Sequence, residues 1–277
     1  MKQKLVFLLP LMLLIQCSAA TVKNEGEYSP EFSPNGNYLA YHSHSAEHFF
    51  DIFIKNMVTG VAENITNNKG YDTDASWSPD SRQLIFSSNQ SGQWDIYLYD
   101  LESKQTTLLI TGPAMDNQPI WSPDGRKIAF LSRRAGTSQI YLYDRHNKRQ
   151  TKLSNTEYSI FHPSWSDDGD TIIFDQSVDG KGIIYQLNVK TGQSKKLFEA
   201  KGSSISAELH HDKLFVTTKR ASSWDIIEFD LKTKKIVDLA ATSVDEMKPN
   251  IDLLTNKMVY SKKDSAGIAR LHITSIK

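Results

Sequence analysis

Trp121-Ser122-Pro123-Asp124-Gly125 is followed by Lys127-Ile128-Ala129-Phe130-Leu131 and then by Gln139-Ile140-Tyr141-Leu142-Tyr143-Asp144. The first string ends a strand and turns it: proline presets φ, aspartate bonds nearby backbone, and glycine admits positive φ. The second and third strings are rich in β-branched and aromatic residues, and Arg149 to Leu153 adds a fourth short strand. The unit is therefore four strands joined by tight turns.

The unit recurs. Phe32-Ser33-Pro34-Asn35-Gly36, Trp77-Ser78-Pro79-Asp80 and Trp165-Ser166-Asp167-Asp168-Gly169 repeat the opening string, and Tyr41, Phe86, Phe130 and Phe174 stand nine residues after the opening aromatics. The same register reaches Val216 and Tyr260, which makes Ala207 and Ile251 the opening positions of two further units. The steps between units are 45, 44, 44, 42 and 44 residues. Pro30, Pro119, Pro163 and Pro249 each precede an opening position by two, and Ile52, Ile96, Ile140, Ile184, Ile226 and Ile268 mark a third strand in every unit. A period of this length with four strands per unit is that of a propeller blade. Six repeats predict an all-β, six-bladed β-propeller of four-stranded antiparallel blades, filling residues 21–277 as a single domain.

Residues 1–20 read as a leader. Lys2 and Lys4 precede an apolar run from Leu5 to Ile15, and Ser18-Ala19-Ala20 supplies small residues for cleavage before Thr21. The run is too short to span a bilayer, and no later segment is longer, so the chain reads as exported and not membrane-spanning. A lipobox ending at Cys17 is the rival reading, but Gln16 suits it poorly, and simple secretion to the periplasm or beyond is preferred over a lipid anchor. Cys17 is the sole cysteine, so the mature chain has no disulfide and no cysteine chemistry. Lys+Arg and Asp+Glu both number 32, which gives no footprint for nucleic acid. The composition is that of an ordinary globular chain, with 39% hydrophobic and 23% charged residues, and a monomer is expected. The sixth unit stops after its third strand, so Thr21 to Asn24 is expected to pair with its open edge and join the chain ends.

There is no Gly-x-Ser-x-Gly elbow, P-loop or dinucleotide glycine pattern. His44-Ser45-Ala46-Glu47-His48 spells an inverted zinc-peptidase motif, but that chemistry needs both imidazoles on one helix face, and this string falls in the loop between the second and third strands of blade one. His42 and His44 remain candidates for a partner or surface site. More weight falls where equivalent positions of every blade converge at one mouth of the central channel. Five residues before each opening position stand Glu27, Asp72, Asp116, Ile160, Gly202 and Glu246; three before stand Ser29, Asp74, Gln118, His162, Ser204 and Lys248. Glu27, Asp72, Asp74, Asp116 and Glu246 are thus candidates for a shared cation or ligand site, and hard oxygen ligands suit Ca²⁺. The same residues can equally cap turns. His162 lies in the same ring. Trp94 and Trp224 precede third strands and are candidates for an aromatic rim that binds a partner, or for packing over the blade tops.

The opening string, the Ile-Ala-Phe strand and the Ile-Tyr-Leu-Tyr-Asp strand together resemble the WD-like propeller repeat of the TolB-like periplasmic family, which dipeptidyl-peptidase and prolyl-oligopeptidase propellers share. The resemblance covers residues 28–277 and only the propeller part of that family, without its preceding α/β domain. It implies a non-enzymatic exported binding module that grips another envelope protein, a lipoprotein or an extended peptide, with no required cofactor. The alternatives it leaves are a metal-dependent propeller enzyme of the polysaccharide-lyase kind, which would need several channel histidines where only His162 qualifies, and a relative of the dipeptidyl-peptidase propellers.

Overall fold

A computed structural model describes residues 26–276, apart from 45–49, 201–202, 221 and 253. The leader with Cys17, the segment Thr21 to Asn24, and most of the His44–His48 string lie outside the described residues. Among the described residues there are 23 strands and no helix. They form six antiparallel sheets of consecutive strands, spanning 27–64, 72–110, 116–152, 161–199, 204–240 and 246–275. Five sheets have four strands; the sixth, of Glu246–Asp252, Lys257–Lys263 and Ala269–Ser275, has three. The first strand of each blade touches the first strand of the next, and that of blade six touches that of blade one. The chain is a six-bladed β-propeller.

The core lies between the blades, because alternation sends successive side chains of a strand to the two faces of its sheet and each face meets a neighbour. Ile85, Ile96 and Ile110 of blade two pack against Trp121, Ile128, Phe130, Tyr141 and Tyr143 of blade three, all buried. Trp77 and Trp121, in register on the first strands, are likewise core. The closing seam between blades six and one is thinner, with Phe32, Leu39 and Val259 as its buried members.

Two register assignments need correction. In blade five the residue that pairs as Trp77 pairs with Leu84 is Leu209, opposite Leu214, and not Ala207. The turn from first to second strand is two residues shorter there, which accounts for the 42-residue step. In blade six Leu271, opposite Ser261, holds the place of Ile96, opposite Ser87; Ile268 precedes the strand. The hairpin before it is one residue longer than in blade two, and Ile268 stands two residues short of the 44-residue period from Ile226, which together make the three-residue difference.

Candidate functional site

Every first strand breaks register once against its neighbour, and at each break one residue takes a left-handed backbone. These residues are Ser29 (φ 48°), Asp74 (51°), Gln118 (48°), His162 (45°), Ser206 (54°) and Lys248 (53°). A bulge re-aims the side chain at that point. Here all six line the central tunnel, a cavity of about 110 Å³ that they share with Pro30, Pro119, Pro163 and Pro249. The corrected register puts Ser206, not Ser204, in this ring. Left-handed geometry at a non-glycine residue costs about 1–3 kcal/mol, so it must be held from outside. At four of the six, side chains of the preceding blade do this. The Gln118 N–H donates to Ser87 Oγ (2.9 Å), that of Ser206 to Asp175 Oδ1 (3.3 Å) and that of Lys248 to Thr217 Oγ1 (3.2 Å). The His162 N–H donates to Gln118 Oε1 (2.8 Å), because the equivalent second-strand residue, Leu131, has no acceptor.

The charges at this mouth are coupled. Burial pushes the Asp74 carboxyl up, but Lys248, His42, Thr73 and His162 outweigh it and hold Asp74 below its ordinary value. Lys248 Nζ of blade six reaches Asp74 Oδ1 of blade two at 3.6 Å, over the blade between them. His162 Nδ1 lies 2.8 Å from Asp175 Oδ1. His42 is pushed down to about 4, chiefly by burial, so its imidazole is neutral at neutral pH. It stacks on Tyr28 (5.7 Å) and meets Phe50 edge-on (5.2 Å). His44 meets the same Phe50 at 5.5 Å. Both histidines are thus packed into an aromatic cluster beside the mouth.

The five carboxylates do not converge as expected, and among the described residues no three metal-ligating side chains gather. Only Asp74 lines the tunnel. Asp72, Asp116 and Glu246 precede the bulge, where the regular strand turns them into the interfaces between blades, and all three are fully buried. Asp116 pairs with Arg134, and Glu246 with Lys262 Nζ at 2.8 Å. Glu27 accepts the Leu271 N–H at 3.1 Å and so ties blade one to blade six. Trp94 and Trp224 are half-buried. The carbonyl of Trp94 accepts the Asp116 N–H at 2.9 Å, and Lys219 lies over the Trp224 ring at 5.9 Å. The exposed aromatics near the mouth are instead Tyr158 and Phe161 of blade four. The sequence signal for Phe161 was an aromatic at the position held by Thr73 in blade two and Asn117 in blade three.

Farther along the tunnel a second ring was not foreseen: Glu31, Ser76, Glu208 and Asn250, one residue before the opening positions. Each accepts a main-chain N–H of the next blade. Glu31 takes that of Trp77 (2.8 Å), Ser76 that of Trp121 (3.4 Å), Glu208 that of Ile251 (3.1 Å) and Asn250 that of Phe32 (2.9 Å). Burial, with Glu208 nearby, pushes Glu31 up to about 8. Beyond Glu208, His210 bonds Asp167 Oδ1 at 2.8 Å. Burial alone would lower His210, but the Asp167 and Glu208 carboxylates raise it to about 9.

The comparisons with known proteins agree with this geometry. The Tol-Pal system protein TolB of Francisella tularensis subsp. mediasiatica is 33% identical over 78 residues, 27% of this chain and 18% of that protein. The chain thus matches under a fifth of the length of that curated relative. The crystal structure of TolB from Acinetobacter baumannii superposes with a TM-score of 0.74 at 23% identity, over 82% of this chain and 57% of that one. Oligogalacturonate lyase from Vibrio parahaemolyticus gives 0.64 at 13% identity, over 91% and 78%. The β-propeller domain of the trilobed protease from Pyrococcus furiosus gives 0.62 at 16%, over 91% and 93%. At these identities the structural likenesses show the fold alone. The sequence profile of the TolB beta propeller domain matches residues 18–161, more than half of the chain. The chain belongs to the TolB β-propeller family.

Proposed function

We propose that the protein is a non-enzymatic binding module of the cell envelope, which takes an extended segment of a partner protein at the mouth ringed by Ser29, Asp74, Gln118, His162, Ser206 and Lys248. The observation that carries this reading is the six-fold bulge. Six strained residues are held so that their polar side chains converge on one opening, and convergent polar groups in a preformed cavity are what a binding site consists of. Tyr158 and Phe161 add exposed aromatic surface on the same side, the residue type that anchors protein interfaces. The proposed location is the periplasm, reached through cleavage after Ala20, with the protein a monomer there.

Affinity capture from envelope extract tests this, with partners identified by mass spectrometry. A single partner held by wild type, lost in Lys248→Glu and in Phe161→Ala, and kept in Asn147→Ala on the opposite face supports the reading. Equal capture by all variants refutes it. The alternative, a metal-dependent lyase, would have to act through His162, the one imidazole among the six tunnel positions.

A further inference from the structure

Five of the six blades have four strands. The outer edge of the third strand of blade six, Ala269–Ser275, pairs with no strand among the described residues. The apolar clusters between blades carry the same difference. Each of the five other interfaces draws a residue from within or directly after a fourth strand: Ile65, Ile110, Leu153, Phe198 and Ala240. The seam cluster takes Val259 and Leu271 from blade six and has no such member among the described residues. Ile110, Phe198 and Ala240 lie opposite Ile96, Ile184 and Ile226. Leu271 holds the place of Ile96, so the corresponding position lies beside Leu271. Farther along the strand, His272, Ile273 and Thr274 are exposed, whereas Tyr141, Leu142 and Tyr143 at the same places in blade three are buried. The main chain differs as well. The Ile65 N–H donates to the Ile52 carbonyl and the Leu153 N–H to the Ile140 carbonyl, both at 2.9 Å, but the Leu271 carbonyl meets no main-chain donor among the described residues.

The sister blades specify what fits. Their fourth strands bring two adjacent apolar residues to this point: Leu109-Ile110, Leu197-Phe198 and Leu239-Ala240. Ile110, Phe198 and Ala240 each stand six residues before the next first strand, which begins at Asp116, Ser204 and Glu246. Six residues before Glu27 is Thr21, the first residue of the exported chain proposed above. That chain therefore has one residue, a polar one, at the register where its sister blades have a whole strand. We propose that the outer edge of blade six takes an extended segment of a partner protein as its fourth strand. The segment pairs antiparallel to Ala269–Ser275 through the main chain and carries two adjacent apolar residues, the second seated beside Leu271 and Val259. This inference rests on the cleavage proposed after Ala20 and not on the tunnel mouth. In strand addition the main-chain bonds give affinity and the side-chain positions give specificity, and an edge left unpaired is a liability. A charge at the second apolar position would be buried at the seam without a partner, so the segment is uncharged there.

The test uses the full chain, exported with its own leader and recovered from the periplasm. The probe is a synthetic peptide of residues 105–111, which holds the fourth strand of blade two, with lysines added at its N-terminus for solubility and a fluorophore for anisotropy. Wild type is expected to bind it. Alternate residues of an antiparallel strand direct their main-chain groups to the same side. The Leu271 N–H points outward to Glu27, so that of Ile273 does too. Ile273→Pro removes this outward donor, spares the bonds to the second strand, and should weaken binding about tenfold. The same peptide N-methylated at alternate residues tests the pairing without altering the protein and should not bind, nor should the peptide with Ile110→Asp. Lys248→Glu, at the tunnel mouth, should bind the peptide as wild type does, which separates this site from the one proposed above. No binding by wild type overturns the proposal, as does equal binding of the N-methylated peptide; sedimentation then shows whether a second copy or the chain's own N-terminus holds the edge.

Discussion

The interface between blades two and three and the seam between blades six and one share one architecture and differ in how much buried apolar surface joins them. At the first, eight buried apolar residues meet and the chain runs directly from one blade to the next. At the seam three buried residues meet, and the first strand of blade one is tied across by side chains that accept main-chain N–H groups. Asn250 takes Phe32, and Glu27 takes Leu271. Where area is scarce, directional bonds set the register. A hydrogen bond contributes only about 0.5–1.5 kcal/mol net, so the seam is expected to be the first place the ring opens, while the inner interfaces unfold with the whole domain.

The largest effect should come from the inner interface. Phe130→Ala removes a fully buried ring and should cost about 3–5 kcal/mol; denaturant unfolding of the variant would show it as a lower midpoint with an unchanged slope. A cost below that of Phe32→Ala, at the seam, would reverse the comparison.

The second effect concerns pH. Glu31, raised to about 8, and His210, raised to about 9, both join neighbouring blades. A raised folded pKa gives stability that is complete below the unfolded value and lost as pH rises through the folded one. Tm should therefore fall as pH rises from about 5 to about 9. Glu31→Gln keeps the bond to the Trp77 N–H and should flatten the lower part of that fall. A Tm that rises with pH over this range contradicts the reading.

Next comes Asn250→Ala, which strands the Phe32 N–H at the seam and should cost about 1–2 kcal/mol. It should also speed proteolysis at blade one. Ser76→Ala removes a longer contact, 3.4 Å to the Trp121 N–H, and should cost less. The smallest effect is Gly125→Ala. Gly125 sits at φ +68° and a Cβ there would meet only Pro79, at 3.6 Å, so backbone strain of about 1 kcal/mol is the whole expected cost.

The repeat made the fold legible, because an aromatic, a Ser-Pro-Asp-Gly turn and a β-branched strand at fixed spacing leave few other architectures. It also placed Asp74, Gln118, His162 and Lys248 at the tunnel. It failed where a hairpin changed length, moving Leu209 and Ser206 by two positions and adding one to the two by which Ile268 already missed the period before Leu271. It failed again at Asp72, Asp116 and Glu246, since a bulge turns one residue toward the tunnel and leaves its neighbour two places earlier between blades, and spacing alone shows no bulge. The ring of Glu31 and Glu208 was hidden for a different reason: its partners are main-chain N–H groups about 45 residues away.

The central claim is that the mouth lined by the left-handed residues is the binding face. Amide hydrogen exchange of the protein, alone and with its captured partner, tests it most directly. Added protection is predicted at residues 72–75, 116–119, 160–163 and 246–249, with none at the turns 78–82, 122–126 and 166–170 at the other end of the tunnel. Protection confined to those turns would contradict the account.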